Sequence, residues 1–281
     1  MKQPHALTDG FVLGESPRWH EHRLWFCDWG ARQVAAVDLD GRREDVAQLS
    51  SFPFCIDYLP DGRLLIAPAR EGKLLRREPD GSLVTHAELT TLSDKPWNDI
   101  TVDSHGNAYV GNLGFEFPGG EFAPGTLVVV RPDGNATEVA ERLAFPNGMV
   151  LTPDGQHLII AESYADRLTA FGVGADGTLS DRRVWAETPG DHPDGICLDV
   201  EGAVWYADVG NKRCVRVREG SEVLDTVQLD RGCFACALGG PDGKTLFMVA
   251  AEYPINFANA TGQILAVQAP AAGTSVERSA R

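Results

Sequence analysis

The chain has 281 residues, a formal net charge of −15 and six cysteines. This length can bury a substantial core, and the acidic balance repels phosphate backbones and argues against a nucleic-acid partner. No stretch reads as a membrane span or as the apolar segment of a secretory signal, so a soluble, cytoplasmic protein without an obligate protein partner is expected. Thirty glycines and 17 prolines, with little helical periodicity, favour an all-β fold rich in turns.

Residues 5–13 read as one short strand, with Ala6, Leu7, Phe11 and Val12 as its apolar content. A unit of four strands then starts at Glu15, with segments near 17–19, 24–28, 34–38 and 46–49. The second unit runs through 55–59, the turn Pro60-Asp61-Gly62, then 63–67, 73–76 and 83–89. The third starts at Asn98, turns at Gly106, and carries an aromatic, glycine-rich insertion at 112–124 before its last two strands. The fourth starts at Asn147 and turns at Pro153-Asp154-Gly155. The fifth starts at Asp194 and turns at Gly202. The sixth starts near Ala235, turns at Pro241-Asp242-Gly243 and is one strand short. Residues 269–281 are small and polar and read as a mobile tail.

The unit starts at 15, 54, 98, 147, 194 and 235 lie 39 to 49 residues apart. Four strands at that period are the signature of propeller blades. The expectation is one domain: an all-β, six-bladed β-propeller of four-stranded antiparallel blades. Residues 5–13 would supply the missing strand of the last blade and close the ring, removing exposed sheet edges.

A second regularity bears on function. Eight residues before each turn glycine stands one position per unit: Asn98, Asn147 and Asp194, with Glu15 in the unit whose turn lacks glycine. Phe54 and Ala235 occupy the other two. The first strand of each blade lines the central channel, so these four oxygen-bearing side chains would converge on the axis. Crowded carboxylates are costly to desolvate unless a cation lies between them. Two carboxylates and two amides make a hard oxygen set with formal charge −2, suited to calcium, magnesium or manganese. Cys233-Phe234-Ala235-Cys236 stands alone, without the further ligands a zinc site requires, and is taken as structural.

Glu15 lies in Gly14-Glu15-Ser16-Pro17-Arg18-Trp19. The other positions lie in Asn98-Asp99, Phe145-Pro146-Asn147-Gly148-Met149 and Pro193-Asp194-Gly195. With Pro241-Asp242-Gly243-Lys244-Thr245-Leu246 and Thr261-Gly262-Gln263-Ile264-Leu265, these motifs make nearly the whole chain resemble the gluconolactonase, senescence marker protein (regucalcin) and luciferin-regenerating enzyme family. The resemblance implies a six-bladed propeller holding one divalent metal on its axis, calcium first, with zinc, magnesium or manganese as alternatives. It implies Glu15, Asn147 and Asp194 as metal ligands, and Asn98 and Glu116 as substrate contacts. One position departs from the pattern. Animal members carry an arginine where this chain has Pro96, which opens the substrate beyond a sugar lactone; Lys95 stands beside it as a replacement.

The family's chemistry is lactone hydrolysis, and a small-molecule lactone is the expected substrate. Asp194 can serve as general base from the metal's own ligand shell. No G-x-S-x-G elbow offers a serine nucleophile. His192, Phe54 and the 114–124 insertion are candidates for the channel mouth, the insertion as packing or as a lid. Two alternatives stand beside the lactonase: an organophosphate-ester hydrolase on the same axial metal, and a non-catalytic calcium-binding propeller.

Overall fold

The computed structural model describes residues 3–274 as six four-stranded antiparallel sheets, with one 3-10 turn at Ser163–Ala165. Among the described residues no helix is long and apolar enough to cross a membrane. In blades one to five the strands pair in chain order. In blade six, His5–Phe11 pairs with Gly262–Gln268, which pairs with Thr245–Ala251 and then Gly232–Gly239. The N-terminal strand is therefore the outer edge of the last blade, and a six-bladed propeller closes on it as expected. The innermost strands are Gly14–His20, Phe54–Tyr58, Trp97–Val102, Pro146–Leu151, Pro193–Leu198 and Gly232–Gly239. Each neighbours the next, and the last returns to the first.

The inner hairpins share one turn chemistry. Asp61, Asp103, Asp154, Asp199 and Asp242 each accept the backbone N–H two residues on, at 2.8–3.1 Å. Glycines 62, 106, 155, 202 and 243 take φ between +69° and +85°, a region open to a residue without Cβ. Blade one lacks this glycine, and Glu21 and His22 turn the chain at φ +48° and +61° instead.

The core lies between blades. Side chains alternate across each strand, so Ile196 and Leu198 pack toward blade four while Cys197 packs toward blade six. Inner strands also approach one another without forming a sheet. Side chains bridge part of the gap: Ser16 Oγ donates to Ile56 O and accepts from Ile56 N, Asp57 accepts from Val102 N, and Asp99 from Met149 N. Elsewhere the strands touch directly. A Cβ on Gly148 would lie 2.5 Å from Asp194 O and Ile196 N, and one on Gly195 would lie 2.5 Å from Ala235 Cβ. Because the Gly195 clash is with an inner strand that cannot swing aside, Gly195→Ala should destabilise by about 1–3 kcal/mol. Denaturant titration checks this; a wild-type midpoint would show that the strands separate freely.

The tail differs from expectation. Ala269 and Ala271 are buried, Val200 N donates to Ala272 O, Gly273 bridges Asp199, and Thr274 N donates to Leu198 O. Small residues fit this seam where larger ones would not, so 269–274 is held by the inner hairpin of blade five. The rest of the expected mobile tail, 275–281, lies outside the described residues.

Candidate functional site

The candidate ligands sit near the start of the inner strands, at one end of the channel. In five of the six blades the inner strand breaks register there: between Glu15 and Arg18, Trp97 and Ile100, Pro146 and Met149, Pro193 and Ile196, and Cys233 and Ala235. A bulge re-aims the side chains it contains. Ser16, inside the first of these bulges, takes φ +52°. Phe54–Tyr58 pairs without a break, and Phe54 is 1% exposed in the seam against blade one. Phe54 therefore belongs to the core and not to the mouth, because no bulge turns it out.

Desolvation raises both Glu15 and Asp194, and the charge of Glu15 adds to the shift of Asp194. Burial above all, with help from Asp99, pushes the Glu15 carboxyl up to about 8, although the Ser16 N–H donated to Oε2 at 3.0 Å opposes this. Burial and then the charge of Glu15 push Asp194 well above the usual carboxylate range, against a hydrogen bond from Asn147. Asn147 Nδ2 also donates to Ser163 Oγ at 3.2 Å, and Ser163 Oγ in turn donates to Pro193 O at 2.7 Å. That relay fixes the amide orientation and leaves Oδ1 as its acceptor. Asn98 Nδ2 donates to Pro146 O at 3.0 Å, orienting its amide likewise.

These residues fit a hard divalent cation. Two half-buried carboxylates, the charge of one opposing ionisation of the other, with oriented amide oxygens beside them, gain most from a positive charge between them. Among the described residues no group of three or more His, Cys, Asp or Glu could hold an ion; the set here rests on two carboxylates and amide oxygens.

Sequence reasoning did not foresee the charge cluster beside this set. Arg18 Nη2 lies 3.3 Å from Asp99 Oδ1, Arg18 Nε lies 3.6 Å from Asp57, and Arg18 also donates to Ile100 O. Burial pushes Asp99 up while Arg18 pulls it down. The available signal was charge on otherwise apolar inner strands, with Arg18 and Asp99 standing in the same motifs as the candidate ligands. Ser163 carried no signal, because its role depends on the blade-four turn.

Apart from Asn98, the expected substrate contacts lie outside the axial set, each tied to a partner of its own. Lys95 Nζ is 3.2 Å from Asp94, and Glu116 is 3.1 Å from Arg70, which also donates to Phe117 O. His192 Nδ1 is 2.9 Å from Asp166 Oδ1 and 3.1 Å from Ser163 O. Cys233 and Cys236 are buried between blades five and six, where the Cys236 thiol donates to the carbonyls of Gly195 and Trp205. A hollow of about 430 Å³ between blades four and five is lined by Asp154, Arg183, Asp199 and Thr274 among others, and by none of the candidate ligands.

Residues 13–252 match the family described as SMP-30/Gluconolactonase/LRE-like region. Regucalcin of Xenopus laevis is 26% identical over 259 residues, covering 88% of this chain and 85% of that protein. A 6-deoxy-6-sulfogluconolactonase of Pseudomonas putida is 27% identical over 255 residues, covering 86% and 84%. The crystal structure of a calcium-binding protein, regucalcin, from Agrobacterium tumefaciens superposes with a TM-score of 0.80 at 20% identity, covering 98% and 96%. With most of its length inside that match and the same closed ring, the chain belongs to the SMP-30/gluconolactonase/LRE-like family.

Proposed function

We propose that this protein is a divalent-metal-dependent lactonase, with Glu15, Asn147 and Asp194 holding the ion and Asp194 acting as general base. The observation that carries this is a pair of half-buried carboxylates, Glu15 and Asp194, both pushed up by desolvation and Asp194 further by the charge of Glu15, beside an oriented amide. The relatives support the reaction class and the ion in turn: the Pseudomonas putida protein is named 6-deoxy-6-sulfogluconolactonase, and the Agrobacterium tumefaciens protein is described as a calcium-binding protein, regucalcin. Calcium is therefore the first candidate, with zinc, magnesium and manganese as alternatives.

The bound ion would supply Lewis-acid polarisation of the ester carbonyl and stabilise the negative charge that develops on its oxygen. Asp194, once ionised, takes a proton from the attacking water at a carboxylate oxygen. As the ring C–O bond breaks, it returns that proton to the departing alkoxide, so water and lactone yield one hydroxy acid. The Asn147 hydrogen bond holds the Asp194 carboxylate in position. Asn98, steered by Pro146 O, offers Oδ1 to a substrate hydroxyl. Glu116, Lys95 and His192 would act from the rim, where each can exchange its present partner for substrate.

The test is lactone hydrolysis by chelator-stripped protein with calcium, zinc, magnesium and manganese restored singly. Turnover that falls at least a hundredfold on stripping and returns with one ion is the expected result. Ion binding without turnover of any ester would leave the calcium-binding propeller, and turnover confined to phosphotriesters would leave the organophosphate hydrolase.

A further inference from the structure

The exposed aromatic rings of this protein gather at one end. Among the described residues ten large hydrophobic side chains are exposed, and the aromatic ones are Phe117, Phe122, Tyr164, Tyr253 and Phe257. All five lie on loops joining second to third strands, at 112–124, 162–166 and 251–261. Trp97 pairs with Asn112, Pro146 with Glu162 and Gly232 with Ala251. These loops therefore leave the sheets beside the starts of the inner strands, at the same end of the channel as Asn98, Asn147 and Asp194.

Three of the exposed rings, Phe117, Phe122 and Tyr164, form a connected surface with two buried ones, while Tyr253 packs on Phe234 and Phe257 on Phe52. Phe115 packs on Phe117, Phe122, Phe145 and Tyr164, at centroid distances of 5.6–6.2 Å. Phe145 lies 4.9 Å from Phe117 and 4.7 Å from Tyr164. Phe115 and Phe145 are buried, and the outer rings of Phe117, Phe122 and Tyr164 stay 40–51% exposed. Phe145 is two residues from Asn147, so the cluster reaches the candidate ligand set through the backbone.

Two of the rim groups that could receive sugar hydroxyls must first give up an ion pair to do so. Glu116 is paired with Arg70, Lys95 with Asp94, and Pro96 offers no donor. A ring of solvated aromatics at a catalytic mouth is costly to leave wet and is relieved by an apolar ligand.

We propose that the substrate is a γ- or δ-lactone bearing an apolar alkyl chain, with the lactone at the Glu15–Asn147–Asp194 set and the chain against the Phe115–Phe145 cluster. This rests on the lactonase assignment for its chemistry, while its recognition element is separate. The chain would displace water from the rings, so kcat/KM should rise about three- to fourfold per methylene until the chain outruns the cluster.

The experiment compares δ-valerolactone, δ-octalactone, δ-decalactone and D-glucono-δ-lactone on the calcium-loaded protein. Binding of the corresponding non-hydrolysable alkyl δ-lactams is measured in parallel by calorimetry. Phe117→Ala/Phe122→Ala removes two half-exposed rings and should cut the decalactone-to-valerolactone ratio of kcat/KM at least tenfold. A preference for gluconolactone, or a ratio unmoved by the double substitution, overturns the proposal. If no lactone is hydrolysed with any ion, the lactonase assignment falls and the lactams decide apolar recognition. Affinity rising with chain length supports it, and affinity independent of chain length overturns it.

Discussion

Asp194→Asn is expected to lower kcat for lactone hydrolysis by about 10³-fold at saturating calcium, inside the 10²–10⁴ range that general bases supply. The substitution keeps an oxygen at the same place and removes the atom that accepts the proton. Asn147 Nδ2 can still donate to that oxygen, so the position of residue 194 is preserved. Glu15→Gln is the contrasting variant. It removes one of the two charges facing the ion but leaves Asp194 intact, so it should raise the calcium concentration needed for half-maximal activity and return most of kcat at saturation. Steady-state kinetics over a calcium series, with occupancy followed by calorimetry, separates the two. Wild-type kcat in Asp194→Asn at full occupancy would falsify the base assignment. Equal and unrecoverable losses in both variants would mean that Asp194 and Glu15 act only as ligands.

What could be foreseen in the chain followed from lengths and turn chemistry. A hairpin of fixed length puts the candidate ligand a constant distance before its turn glycine, so Asn98, Asn147 and Asp194 could be found by counting back from Gly106, Gly155 and Gly202. The closing strand was legible for a similar reason: the sixth unit was one strand short, and Phe11 now faces Gly262 in the register that completes it. Orientation was not legible. Phe54 shares the phase of Glu15, yet its strand has no bulge and its ring turns into the core. Nothing local in Phe54–Tyr58 marks the missing bulge, because it depends on pairing with Leu64–Pro68. The Arg18–Asp57–Asp99 cluster is likewise tertiary, joining three blades that are 39 to 42 residues apart in sequence. At 269–274, composition suggested a loose tail. Small residues fit a seam as readily as they fit solvent, and only the surface of blade five decides between them.

The metal-free protein should lose stability as pH rises from about 5 to 8, and calcium should restore it most at the alkaline end. Glu15 sheds its proton near 4.5 when the chain is unfolded and holds it up to about 8 when folded. Between these values the folded state binds more protons, so raising pH favours unfolding. One such group contributes up to about 1.4 kcal/mol per pH unit. Asp194 is shifted in the same direction, by burial and by Glu15, and adds to the slope. Glu162 works in the opposite sense. Burial raises it, but hydrogen bonds from Thr169 and Ala144, with Arg167 and Arg182 beside it, outweigh that and hold it low. Its contribution is therefore lost only in acid, which leaves a stability maximum in mildly acidic solution. A divalent ion between Glu15 and Asp194 lets both ionise in the folded state and removes the slope. Calorimetric Tm in chelator should fall by several degrees between pH 5 and 8, at roughly 2–4 °C per kcal/mol, and the calcium-loaded curve should stay flat. Glu15→Gln, which cannot titrate at that position, should reduce the slope of the chelator curve and leave the part that Asp194 contributes through its own desolvation. A metal-free Tm that rises from pH 5 to 8, or a calcium shift equal at both ends, would mean that the two carboxylates do not face one another across the ion.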